Sequence, residues 1–156
     1  MKNRFLDKLV ALAVLGGAAG LSVARGAEAA GPFQYYAVAP CRAVDTRTGY
    51  GGVLSSDVPR NFAIRGVCGV PADAQAVVVN VTIANPSDRG WLLLYPAGTT
   101  LPLASTINFA QSDTSLGNGA IVPLGAAPSN DLTAYSHTFT GTGTLHLVLD
   151  VNGYFK

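Results

Sequence analysis

Val77-Val78-Val79-Asn80-Val81-Thr82-Ile83 places an aliphatic residue at every odd position and turns Asn80 and Thr82 the other way. Successive side chains of an extended chain point to opposite faces, so this alternation predicts a strand with one dry face and one wet face. The segment from Leu145 to Asn152 repeats the pattern, with Leu145, Leu147, Leu149 and Val151 on one side and His146, Val148, Asp150 and Asn152 on the other. Half-buried strands of this kind belong to antiparallel sheets. Working outward, further strands are expected at Gln34–Val38, Cys41–Thr46, Asn61–Arg65, Trp91–Tyr95, Ser105–Phe109, Ala120–Leu124 and Leu132–Thr138. Turn signals separate them: Gly49-Tyr50-Gly51-Gly52, Asn85 to Gly90, Pro96-Ala97-Gly98, Gly117-Asn118-Gly119, Pro128-Ser129-Asn130 and Gly141-Thr142-Gly143. Many short strands at such spacing predict an all-β fold, a single antiparallel β-sandwich of jelly-roll type. If Gly141-Thr142 forms a two-residue turn, the last two strands make a hairpin that sets His137 opposite His146, Tyr135 opposite Val148 and Thr133 opposite Asp150.

The first 29 residues read as an export signal. Lys2, Arg4 and Lys8 precede an apolar run from Leu9 to about Leu21, and Ala27-Glu28-Ala29 is an A-x-A cleavage site, with Ser22-Val23-Ala24 as the second choice. The run is broken by Gly16, Gly17 and Gly20 and is shorter than the ~20 apolar residues of a spanning helix, so no stable membrane span is expected after cleavage. The expected domain is residues 30–156. Its cations are Arg42, Arg47, Arg60, Arg65, Arg89 and Lys156, six against seven aspartates, for a net charge of −1. Nucleic-acid recognition requires clustered Lys and Arg, so that class is excluded. Glu28 is the only glutamate and leaves with the signal. Helix-favouring Glu and Lys are therefore nearly missing, while Val, Thr, Ile, Tyr, Phe, Asn and Gly favour strands and turns.

Cys41 and Cys68 are the only cysteines. An even count in an exported chain predicts a disulfide, and no C-x-x-C spacing or adjacent His supports a reactive thiol or a metal pair. Pro40-Cys41-Arg42-Ala43-Val44-Asp45-Thr46-Arg47 opens the folded part and Asp150-Val151-Asn152-Gly153-Tyr154-Phe155 closes it. Between them come Cys68-Gly69-Val70-Pro71-Ala72, Asn80-Val81-Thr82, Leu94-Tyr95-Pro96-Ala97-Gly98 and Ile107-Asn108-Phe109, in that order. This series resembles an uncharacterised module of exported bacterial proteins, found alone or beside secreted hydrolases and other surface domains. The resemblance implies a small extracellular β domain and brings no established activity or catalytic residue.

Three constellations could carry chemistry. Facing His137 and His146 could share a metal, because opposite residues have Cβ atoms ~5 Å apart. Asp150 lies ~13 Å along the strand from His146, too far to complete that site, and the other reading is two solvated histidines. Asp45 with Arg47 on its face and Arg42 on the other could supply a base or a ligand group, or lock strand to loop as ion pairs. Hydrolysis lacks support: there is no Gly-x-Ser-x-Gly elbow, no obvious acidic orienter near either histidine in the sequence, and no glutamate pair. Phosphate loops, an EF-hand and zinc-finger spacing are also missing, and no cofactor is implied. Trp91, Tyr95, Tyr50, Tyr135 and Tyr154 could build a stacking platform for sugars. Trp91 shares a face with Leu93 and Tyr95, which reads as core, and Tyr50, flanked by glycines, is the better exposed candidate.

The sequence thus predicts a secreted, non-catalytic binding or adhesion module with a glycan or a cell-surface protein as partner. Loops 46–56, 85–90 and 96–102 would present its surface, with Tyr50, Asp45, Arg47, Asp88 and Arg89 as contact residues. A second class is self-association into a coat or filament, since few charged residues guard the strand edges. A third, a hydrolase, would need an acid–base set that the sequence does not display.

Overall fold

The computed structural model of the protein describes residues 31–127 and 129–156. The expected export signal lies outside the described residues, as does Pro128 of the expected turn there. Nine strands follow in order: β1 (Tyr35–Asp45), β2 (Leu54–Ser55), β3 (Arg60–Phe62), β4 (Ala76–Ala84), β5 (Gly90–Pro96), β6 (Ile107–Phe109), β7 (Ser115–Pro123), β8 (Leu132–Thr138) and β9 (Thr144–Phe155). One sheet runs β1-β9-β4-β7, with β2 also on β9, and the other runs β3-β8-β5-β6. The antiparallel pairs β1–β9, β3–β8, β4–β7 and β5–β6 are nested about the chain's midpoint, which is the winding of a jelly roll. Among the described residues no helix is long and apolar enough to cross a membrane.

The two alternating runs are the inner faces. Val77, Val79, Val81 and Ile83 of β4 and Leu145, Leu147, Leu149 and Val151 of β9 are buried. They meet Phe62, Leu92, Leu94, Ile107, Phe109, Leu132 and Ala134 from the other sheet. Each such burial is worth roughly 1.5–3 kcal/mol. A one-residue slip of β4 or β9 would turn that strand's own apolar set to the outer face, so the core fixes the register.

The expected β8–β9 hairpin does not form. β8 pairs with β3 and β5, whereas β9 pairs with β1, β2 and β4. Residues 139–143 therefore cross between sheets, with Gly141 at φ 72° and its N–H donating to Thr138 O at 2.9 Å. Long ladders to β1 and β4 determine where β9 lies, and a local reversal signal cannot compete with them. Gly117-Asn118-Gly119 is likewise not a turn but the middle of β7, held by a nine-residue ladder to β4. The separate strands expected at 34–38 and 41–46 merge into β1, which is irregular between Ala37 and Cys41 and again between Arg42 and Val44.

Three ties fasten the strand ends and loops. Cys41 and Cys68 form the expected disulfide, with Cα atoms 5.6 Å apart across 27 residues. At one end, Gln34 and Lys156 exchange backbone hydrogen bonds of 2.9 and 3.1 Å. At the side, fully buried Asp131 accepts the N–H groups of Ile64 (2.8 Å) and Arg65 (2.9 Å) on its carboxylate. Arg65 answers with Nη1 3.7 Å from Asp131 Oδ2 and with hydrogen bonds to the carbonyls of Ala74 and Gly125. The Asp131 backbone also bonds Phe62, Ala97 and Gly125, so one residue joins the ends of β3, β5 and β8 to two loops.

Candidate functional site

β5 reads Gly90-Trp91-Leu92-Leu93-Leu94-Tyr95-Pro96, apolar on both faces. Leu92 and Leu94 take the core. Trp91, Leu93 and Tyr95 therefore point away from the inter-sheet core, Leu93 buried among its neighbours and Trp91 and Tyr95 half-buried, which reverses the expected core position of Trp91. Across the ladder, Trp91 meets His137, Leu93 meets Tyr135 and Tyr95 meets Thr133 on β8, while Trp91 meets Asn108 on β6. Beyond β8, Asn61 of β3 stands opposite Thr133 and accepts its hydroxyl at 2.7 Å. The outer face of this sheet thus carries a row of rings bordered by amides. Trp91 stacks on the His137 imidazole with centroids 4.3 Å apart and planes at 29°. Exposed Phe139 meets Trp91 edge-on at 5.9 Å, and the Arg89 guanidinium lies 4.3 Å above the Phe139 ring.

Asp57 anchors the polar side of the row. It sits at φ 63° after β2, where its N–H donates to Ser136 O at 2.7 Å. One carboxylate oxygen, Oδ1, receives both the Tyr135 hydroxyl and His137 Nδ1, the latter at 2.7 Å. The other oxygen receives the Ser56 hydroxyl at 3.1 Å. The Tyr135 bond, then the His137 bond, hold the Asp57 carboxyl below the usual carboxylate range. The same carboxylate pushes the Tyr135 phenol up to about 12, with burial adding to the shift. A stacked indole and imidazole, with a carboxylate locking the imidazole plane, make a rigid platform that can take the apolar face of a ring and hydrogen-bond its edge.

The residues expected to bind fall into separate places. Arg89 joins the platform through Phe139. Asp88 instead clips loop to loop, accepting Thr140 N–H at 2.8 Å and Arg89 N–H at 2.7 Å, and these bonds lower its pKa. Asp45 and Arg47 form a latch on the other sheet: Arg47 donates to both Asp45 oxygens at 2.9 and 2.7 Å and holds that carboxyl well below its ordinary value. Arg42, expected on the opposite face, joins them, bonding Asp150 at 2.9 and 3.1 Å and Asp45 at 3.3 Å. The irregularity between Arg42 and Val44 turns its side chain round. Tyr50 is exposed, as expected, and its ring lies 6.5 Å from Phe62 in a loop pinned by Arg60. Tyr154 stacks on Tyr36 at 5.3 Å instead.

The facing histidine pair is corrected as well. With β8 and β9 in different sheets, His137 binds Asp57, and His146 Nδ1 lies 3.2 Å from Thr46 Oγ1. Among the described residues no group of three or more His, Cys, Asp or Glu side chains is placed to hold a metal. Sequence reasoning missed Asp57 and Phe139 altogether. Trp91, Tyr95 and Tyr135 were legible as aromatics, and their common face follows from alternation once Leu92 and Leu94 are assigned to the core.

No family model matches this chain, and no curated protein matches it. Among solved structures, one that is similar is the carbohydrate binding module (CBM6cm-2) from Cellvibrio mixtus lichenase 5A in complex with cellotriose. It shares 15% identity at a TM-score of 0.32, over 75% of this chain and 98% of that one.

Proposed function

We propose that this protein is an exported, non-catalytic glycan-binding module, and that its binding face is the outer surface of the β3-β8-β5-β6 sheet. The observation that carries the reading is the half-exposed Trp91–His137 stack beside the Asp57–Tyr135 hydrogen bond. A pyranose has an apolar C–H face and a hydroxyl rim, and this surface offers a ring for the one and polar atoms for the other. The disulfide, the leader-like N-terminus and the resemblance of the motif series to exported bacterial modules support export.

Trp91 is the only tryptophan, so intrinsic fluorescence reads this face directly. Titration with a panel of plant and bacterial glycans should change that emission in a saturable way for at least one of them. Trp91→Ala, followed by calorimetry, should lose most of the affinity. Saturable binding unaffected by Trp91→Ala would refute the location, and a blank panel would refute the reading.

A second reading is favoured by β7. Among the described residues this edge strand pairs with β4 alone, and it carries no charged residue over Ser115–Pro123 and leaves Ile121 63% exposed. Unguarded edges of this kind template strand-to-strand association. Growth of scattered light with concentration, abolished by Ile121→Lys, would support a coat or filament. A monomer at high concentration would dismiss it.

A further inference from the structure

The hydrogen atoms around Asp57 are already committed, and this determines what that part of the platform can recognise. An ionised carboxylate only accepts hydrogen bonds. Two groups converge on Asp57 Oδ1, so the Tyr135 hydroxyl must be the donor in one bond and His137 Nδ1–H the donor in the other. A neutral imidazole that donates from Nδ1 has only a lone pair at Nε2. The Ser56 hydroxyl is spent on Oδ2 in the same way. What remains around Asp57 is therefore acceptor capacity: a phenol oxygen, the lone pair of a neutral imidazole and the rest of the Asp57 carboxylate, while the Trp91 indole N–H and the amides of Asn61 and Asn108 keep donors elsewhere on the face. The Arg89 charge lies over Phe139, on the far side of Trp91 from His137's partner Asp57 in the contact sequence Asp57, His137, Trp91, Phe139.

We infer that the face selects neutral, hydroxyl-donating saccharides and rejects acidic ones. A neutral sugar can donate its hydroxyls to each free acceptor. A uronate or sulfate brings further acceptors and a negative charge against Asp57, where no proton is left to share. At surface separations of ~5–6 Å such a like-charge pair weakens binding by roughly tenfold. This inference rests on the glycan reading above and adds the class of glycan to it.

The test uses length-matched oligosaccharide pairs that differ only at C6: glucan with glucuronan, galactan with galacturonan, mannan with mannuronan. Calorimetry at neutral pH should show at least one neutral member binding about tenfold or more tightly than its acidic counterpart. Asp57→Asn removes the charge and keeps the shape, and Asn is tolerated at positive φ, so the variant should fold. In that variant the gap should shrink to roughly threefold or less. Tyr135→Phe should weaken the neutral sugar several-fold without changing the gap in the same direction. An acidic member binding as well as its neutral partner, with Trp91 required, would overturn the selectivity and leave the binding face standing. Binding that ignores Trp91→Ala, or no binding by any pair, would overturn both.

Discussion

Asp131→Ala should be the most damaging single change of a polar side chain. The carboxylate is fully buried and satisfies two backbone donors, Ile64 N–H and Arg65 N–H. Each orphaned buried donor costs about 1–3 kcal/mol. Arg65, whose side chain is only 8% exposed, also loses its counter-charge while keeping its carbonyl partners. Removing one partner of a buried pair costs roughly 3–5 kcal/mol, in line with that sum. For a domain of this size the loss corresponds to a fall in Tm of roughly 10–20 °C. Thermal unfolding followed by far-ultraviolet circular dichroism, with urea titration for the free energy, measures it. Asp131→Asn keeps one acceptor oxygen and should lose less than half as much. The Asp131→Ala/Arg65→Ala double variant should be less destabilised than the two single losses added, because the pair acts as one unit. An Asp131→Ala domain within about 1 kcal/mol of the parent would refute the claim that this residue holds the strand ends together.

Three further outcomes follow from the structure. Replacing both Cys41 and Cys68 by Ser frees a loop of 27 residues, and denaturant titration should show a loss of about 3–4 kcal/mol in the chain-entropy account. Asp45, Asp57 and Asp88 all hold their protons less tightly than usual in the folded state, so their contribution is complete above the ordinary carboxylate pKa and is lost as pH falls through the folded values. The urea midpoint should therefore stay level from about pH 7 to 5 and drop below about pH 4, and Asp45→Asn should flatten that drop. A Cβ at Gly90 would overlap the His137 carbonyl oxygen, so Gly90→Ala should part β5 from β8, destabilise by roughly 1–3 kcal/mol and shift Trp91 emission.

The part of the fold that was legible is the part written locally. Val77–Ile83 and Leu145–Val151 alternate so strictly that only one face of each could be inner, and both are inner. The partners of those strands were not legible. Gly141-Thr142-Gly143 announces that the chain reverses, but not that the next strand joins the opposite sheet, because β9 takes its place from β1, more than a hundred residues earlier. Trp91 was misassigned because β5 is apolar on both faces, and the choice rests on which face the other sheet covers. Asp57 carried no signal at all. It reaches Tyr135 and His137 only because the chain between β2 and β3 runs beside β8. The latch of Arg42, Asp45 and Arg47 was recognisable by composition, yet its geometry depends on an irregularity in β1 that alternation cannot reveal.

The adjacency of Gln34 and Lys156 determines how the domain would bear tension. Residues at the same end of neighbouring antiparallel strands are peeled apart one hydrogen bond at a time when pulled, rather than sheared as a block. β1 would come away from β9 at low force, but only as far as Cys41, where the bond to Cys68 stops the peeling. Residues 34–40 could supply at most ~25 Å of slack before that stop. This yielding takes place in the sheet that does not carry Trp91, so the ring row on the other sheet would keep its shape while the domain is stretched.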